Sequence, residues 1–328
     1  MPNEMSQAIE VNKKANLESK INKWDIFSKN VKRDKFLILL VLPGVLNFII
    51  WHYIPMYGIL IVFKDYNMKL GILKSPWAEM FGLKHVIEFV NNPYFFRLVR
   101  NTVWLNLLQM IFVPIPGIIF ALFLNEIYHI RFKKLVQTVS YFPFFLSSVS
   151  LVSIFVLILS PTTGLVNNFI KMLGGEPIYF VMEPKWFRTI FILMTIWQTM
   201  GWDTIIWLAR ITGVDTQLYE SATIDGASRI MKMWYITLPA FKEWYFINLI
   251  LGFGSLLATS GFEKIFLLYN PATYETADVF GTYIYRRGLQ MGDFSYGEAV
   301  GFVNSIICLF MLILANNVSK KFAEESIW

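Results

Sequence analysis

The side chains best suited to chemistry lie where this chain interrupts its own apolar runs. The longest interruption, Ile211 to Pro239, holds Glu220, Ser221, Ala222, Asp225, Gly226 and Ala227. Asp215 fits the N-cap of a short helix. Ala222 and Gly226 are four apart and would share one helical face. Small side chains there would let another surface approach the backbone, which is docking chemistry and not bond-making chemistry. Gly226 within a helix would cost about 1 kcal/mol against Ala, or would mark a bend between two short helices. Ile230, Met233 and Trp234 give the second piece an apolar side, and Pro239 punctuates before the next apolar run.

A second set of polar groups sits inside the apolar runs. Gln198 and Asp203 stand among Trp197, Gly201 and Trp202; Ser255, Thr259, Ser260, Glu263 and Lys264 follow, and Asn106, Gln109, Asn304 and Ser305 occupy other runs. Polar and ionisable groups are costly in hydrocarbon and mark functional positions. The plainer role for each is an interhelical hydrogen bond, worth under about 2 kcal/mol. Glu263 and Lys264, being adjacent, would also suit contact with lipid headgroups at the outer boundary.

Catalytic constellations are absent from the sequence. No Gly is followed by Lys, so the phosphate-binding GxxxxGK[ST] loop is missing. His52, His85 and His129 are scattered without metal-ligand spacing, and there is no HExxH. The serines of Phe145–Ser150 lack a G-x-S-x-G context.

The elements that must position these residues are membrane helices. Hydrophobic residues make up 55% of the 328 and charged ones 16%, where a soluble domain is nearer a quarter charged. A span needs about 20 helical residues. Six apolar runs qualify: Phe36–Phe63, Thr102–Leu124, Val136–Ser160, Phe187–Leu208, Tyr245–Tyr269 and Ala299–Val318. The expected fold class is therefore all-α integral membrane, with 1–35 as a basic N-terminal segment and 36–328 as the transmembrane domain. Gly297 and Gly301 form a small-xxx-small pair suited to helix packing.

Lys and Arg set the expected orientation. The segments 1–35, 125–135, 210–243 and 319–328 hold 17 basic residues against 9 in 64–96, 161–186 and 264–297, which puts both termini in the cytoplasm. The N-terminal segment is Lys-rich, with no apolar start that would suggest a cleavable signal peptide. It reads as a topological anchor near anionic lipid. The net charge of +6 thus belongs to loops and does not point to nucleic acid. Cys308, the one cysteine, lies in an apolar run and forms no intrachain disulfide.

The interruption closely resembles the EAA signature of permease subunits in maltose-type ABC importers. Its elements here are Glu220-Ser221-Ala222, Asp225-Gly226-Ala227 and Ile236-Thr237-Leu238-Pro239, at the family's spacing; Ser221 replaces the first Ala of the motif. Flanking patterns look like the subgroup that imports pectic, xylan-derived or alginate oligosaccharides. They are Tyr53-Ile54-Pro55-Met56-Tyr57-Gly58, Phe63-Lys64-Asp65-Tyr66, Asn101-Thr102, Leu122-Phe123-Leu124-Asn125-Glu126, Tyr141-Phe142-Pro143 and Gly164-Leu165-Val166-Asn167. The resemblance leaves the first 30 residues uncovered.

The resemblance implies a type I ABC importer permease in a bacterial cytoplasmic membrane. It implies that 211–239 forms a coupling helix docking on an ATPase, with Glu220, Ser221, Ala222, Asp225, Gly226 and Ala227 at the contact. It further implies a second homologous permease, two ATPase subunits carrying ATP and Mg, and an extracytoplasmic solute-binding protein, with no cofactor in this chain. Sugars are held by hydrogen bonds and aromatic stacking. Trp197, Gln198, Trp202, Asp203, Thr259 and Glu263 are therefore the expected substrate pathway. Trp77, Tyr94 and Trp186 would meet the binding protein or anchor at the interface. The alternative function is an ion- or proton-coupled secondary transporter or channel. That would leave the signature unexplained and would ordinarily show internal repeats. Whether the cargo carries uronate residues is not readable from the loops.

Overall fold

The computed structural model describes residues 30–31, 33–242, 245 and 261–323. The chain divides into two compact units, Met1–Leu60 and Ile61–Trp328. In the first, helix α1 (Lys35–Phe48) is apolar all round and carries Pro43 in its interior. A π-helical turn, Ile49–Tyr53, continues it.

The second unit is helical, and among its described residues the one β feature is an isolated bridge between Lys64 and Trp77. Its long elements are α2 (Phe95–Phe112), α3 (Pro114–Asn125), α4 (Ile130–Tyr141), α5 (Ser148–Ile158), α6 (Pro184–Ile211), α7 (Phe262–Leu268) and α8 (Phe294–Ala323). Among the described residues, Lys35–Phe63, Phe95–Asn125 and Phe294–Asn317 are long and apolar enough to cross a membrane. The pair α4–α5 makes a fourth if it is one bent span.

Three expected spans, the first, second and sixth, keep their place with altered ends. The second begins at Phe95 and runs to Asn125 past a break at Val113, where Pro114 and Pro116 open α3. The fourth falls on the 28 residues of α6, whose apolar side chains are interrupted by Gln198, Asp203 and several threonines and which is not among the helices apolar enough to cross a membrane. The sixth starts at Phe294. The fifth lies largely outside the described residues, which resume at Gly261.

The third expected span, Val136–Ser160, is not one helix. The chain bends by 102° between α4 and α5. Pro143 sits in a 3-10 turn, Phe142–Phe145, and Leu146 and Ser147 adopt extended backbone. The Ser147 hydroxyl then accepts the Ser150 amide at 3.2 Å and caps a new helix.

Helix α6 runs through the middle of the unit. Phe187, Ile190, Phe191 and Met194 pack with Leu105 of α2, Leu151 and Val152 of α5, and Ile265 and Leu268 of α7. Glycines allow its closest contacts. A Cβ on Gly201 would overlap the Ser140 carbonyl and the Tyr141 backbone of α4. A Cβ on Gly117 would lie 2.9 Å from Cβ of Asp203. Thr204 then reaches the Gly117 carbonyl at 3.2 Å. On α8, Gly297 packs against Gly288 and Gly301 lies near Ile284, so that pair serves helix packing.

A buried ionic knot closes the end of the unit where α2 and α6 begin. Asp278 is fully buried, and one of its oxygens accepts from Arg97 at 3.1 Å and Arg286 at 2.8 Å. The Thr282 hydroxyl donates to the other oxygen at 2.8 Å. Asn101, also fully buried, donates to the carbonyls of Glu275 and Asp278, each at 3.0 Å, and accepts from Arg188 at 3.1 Å. Arg100 pairs with Glu275 at 2.6 Å in an exposed position. The Arg100 guanidinium holds the Glu275 carboxyl below its usual range.

Two consequences are measurable in detergent-purified protein. Gly201→Ala overpacks a backbone contact and lowers stability by roughly 1–3 kcal/mol, whereas Gly213→Ala, whose Cβ would meet only the Arg210 carbonyl at 3.5 Å, does not. Asp278→Ala strands two guanidinium groups and costs about 3–5 kcal/mol; Glu275→Ala removes an exposed pair and costs under about 1 kcal/mol. Thermal unfolding midpoints of the four variants check both.

Candidate functional site: a helical hairpin and an intramembrane pocket

The stretch 211–239 folds as a hairpin. Asp215 caps the helix Thr216–Ile224 by accepting the Gln217 amide at 2.9 Å. That helix ends in a left-handed turn. The Ala227 amide bonds the Ala222 carbonyl at 2.9 Å and the Gly226 amide bonds the Thr223 carbonyl at 3.1 Å. Gly226 has φ +76. This is the Schellman arrangement, which needs a left-handed residue just past the helix.

Ser228 then caps the next turn of helix, Arg229–Lys232, by accepting the Met231 amide at 3.3 Å. Two bonds tie the arms together: Lys232 to the Thr223 hydroxyl at 2.6 Å, and Tyr219 with Thr237 at 2.8 Å.

The expected common face of Ala222 and Gly226 is therefore corrected. Gly226 lies outside the helix, and its role is to reverse the chain. Of the two alternatives open for it, the bend is the one observed. Pro239 does not punctuate either. The backbone stays helical through the π-helical turn Met233–Thr237 and on to Ala240. The wider turn gives the proline ring room against the preceding carbonyls.

The hairpin leaves apolar side chains exposed between its polar ones. Leu218, Ile224 and Ile230 are 53%, 87% and 75% exposed. Glu220 is exposed, with no hydrogen bond or ion pair among the described residues. Apolar side chains this exposed on a polar segment mark an interaction surface.

The second feature is a cavity of about 520 Å³ beside α6, lined by Asn106, Gln109, Thr195, Thr199, Asp203 and Lys264, together with apolar groups and Gly261. Thr195, Thr199 and Asp203 stand four apart on one face of α6. Of the expected pathway residues, Asp203 lines this cavity.

The others point elsewhere. Gln198 donates to the Leu146 carbonyl at 3.2 Å and so satisfies the bend between α4 and α5. Trp202 stacks on Phe144 with centroids 4.6 Å apart, and Trp197 meets Phe155 edge-on at 5.8 Å. Glu263 accepts from Ser148 at 2.8 Å. Thr259 lies outside the described residues. Asn106 and Gln109 stand three apart on α2, and Lys264 joins them from α7, a meeting that the period of a single helix does not show.

The aromatic residues of the loops have local partners. The Lys64 ammonium stands 5.1 Å from the Trp77 ring, the Arg97 guanidinium 4.4 Å from Tyr94, and Trp186 meets Phe180 at 5.2 Å. The ionic knot joins positions far apart in the chain: Arg97 and Asp278 are 181 residues apart, and Arg100 and Glu275 are 175.

Known proteins resemble this chain in sequence and fold. The family described as binding-protein-dependent transport system inner membrane component matches residues 115–324. The polygalacturonan/rhamnogalacturonan transport system permease protein YteP of Bacillus subtilis is 47% identical over 90% of this chain and 91% of its own length. Protein LplB of the same organism is 42% identical over 91% of this chain and 92% of its own. A chain of a solved bacterial ABC transporter involved in the import of the acidic polysaccharide alginate matches with a TM-score of 0.80 at 38% identity, covering 90% of this chain and 99% of that one. A second structure, of the alginate transporter in complex with an alginate pentasaccharide-bound periplasmic protein, matches with a TM-score of 0.81 at 37% identity, covering 91% and 99%. The chain thus belongs to the binding-protein-dependent inner membrane components, with the type I fold of a permease subunit in a sugar ABC importer.

Proposed function

We propose that this chain moves a uronate-bearing oligosaccharide across the cytoplasmic membrane by ATP-driven alternating access. A partner ATPase binds and hydrolyses the nucleotide with Mg. The observation that carries the proposal is the exposed hairpin, Thr216–Lys232. Its turn holds Ile224 and Ile230 outward, and Glu220 is unpaired and ready for a cationic partner. In this reading Glu220, Ser221, Ala222, Asp225, Gly226 and Ala227 meet the ATPase. A nucleotide-dependent closure there biases the membrane helices, because it contacts the two states differently.

The orientation follows from the basic residues: hairpin and both termini in the cytoplasm, ionic knot outside. A second, homologous permease completes the pathway. An extracytoplasmic solute-binding protein delivers the sugar, as the periplasmic protein seated on the related alginate transporter suggests. The acidic class of cargo is supported by the relatives, one described as a polygalacturonan/rhamnogalacturonan permease and one as an importer of acidic alginate. The cavity at Asp203 offers an amide and charges that suit a sugar at membrane depth.

The test targets the turn. Gly226→Ala places a side chain where φ is +76, at a cost of roughly 1–2 kcal/mol to the left-handed residue. A Cβ there has nothing within 4 Å, so Gly226→Trp carries the same backbone strain as Gly226→Ala and adds bulk on the outer surface. Gly226→Trp abolishes co-purification of the ATPase and lowers ATP-driven uptake at least tenfold, while membrane insertion is unchanged. Gly226→Ala has a weaker effect on both. Normal uptake by Gly226→Trp contradicts the docking role.

A further inference from the structure

We infer that Lys264 is the residue of the intramembrane cavity that reads the carboxylate of the cargo. The inference rests on the proposed transport of a uronate-bearing sugar and assigns the specificity to one side chain. Helix α7 opens at Gly261, whose φ of +95 turns the chain into the helix. Successive residues then point about 100° apart. Glu263 faces α5 and is held by Ser148 at 2.8 Å. Ile265 and Leu268 enter the apolar core. Lys264 is partly buried and lines the cavity instead.

The Lys264 ammonium forms no hydrogen bond and no ion pair among the described residues. Asp203 lines the same cavity without pairing with it. The adjacent carboxylate, Glu263, attracts Lys264 through space but bonds Ser148 and not the ammonium. Burying a charge without a direct partner is costly, and a bound carboxylate would offset that cost.

The other polar groups fit the rest of a sugar. Asn106, Gln109, Thr195, Thr199 and Asp203 line the cavity. Asn106 donates to the Thr102 carbonyl at 2.6 Å and Thr195 to the Phe191 carbonyl at 2.8 Å, which leaves the Gln109 amide and the Asp203 carboxylate to meet a sugar. Asp203 repels an acid and accepts from hydroxyls. The two charges therefore give the cavity a polarity: carboxylate toward Lys264, hydroxyl edge toward Asp203. A neutral sugar would use the hydroxyl edge alone and leave Lys264 unpaired.

The experiment uses the whole importer with its binding protein in proteoliposomes, and two probes: tri-galacturonate and its fully methyl-esterified form. Both are supplied at concentrations that saturate the binding protein, and initial ATP-driven uptake is measured. Lys264→Gln lowers tri-galacturonate uptake at least tenfold and changes uptake of the ester less than twofold. Lys264→Arg, which keeps the charge, restores most of the acid transport. Undiminished acid uptake in Lys264→Gln overturns the inference. An equal fall for both probes also overturns it, because a purely structural lysine would behave that way. If the wild-type importer moves neither probe, the proposed cargo class fails, and the assignment of Lys264 fails with it.

Discussion

Inside a bilayer a polar group must find a partner in the protein or face a water-filled space. The second unit is organised around that constraint, and α6 shows it most fully. Gln198 spends its amide on the Leu146 carbonyl at the bend between α4 and α5. Thr204 bridges to the Gly117 carbonyl. These bonds are short enough to form only because Gly117 and Gly201 let neighbouring backbones approach. Asp203 takes neither route. It turns to the cavity, which Lys264, Asn106 and Gln109 also line.

The same helix joins the two ends of the unit. Its 28 residues span about 42 Å at 1.5 Å per residue. At its start Arg188 joins the ionic knot through Asn101, and the Pro184 carbonyl accepts from Thr276 at 2.7 Å. Beyond its end lies the hairpin. The knot is buried and rigidly bonded, whereas the hairpin is exposed and held by its own turns. The polar cavity lies along the side of this helix, between the two.

Much of this was legible in the sequence. Apolar runs marked most of the helices, and the polar residues from Ile211 to Pro239 marked the segment that folds as the exposed hairpin. What escaped has local causes. A run of apolar residues does not announce a bend, so Val136–Ser160 looked continuous although Pro143 and Ser147 divide it. Gly226 supported either a helical position or a bend, and only its φ decides between them. Trp197, Gln198 and Trp202 are neighbours of Asp203 in sequence, yet the helical period turns them to α5 and to the bend before it. Arg97 and Asp278 meet across 181 positions, a distance over which no pattern in a single chain connects them.

The central claim is that transport is driven through the hairpin by a separate ATPase. Site-specific cross-linking tests it most directly. With Ile224→Cys as the attachment point in the assembled importer, a short thiol-directed cross-linker should capture the ATPase subunit. The yield should change at least severalfold between nucleotide-free and ATP-bound states. Absence of any ATPase cross-link, in a complex that still accumulates tri-galacturonate when ATP is supplied, would contradict the account.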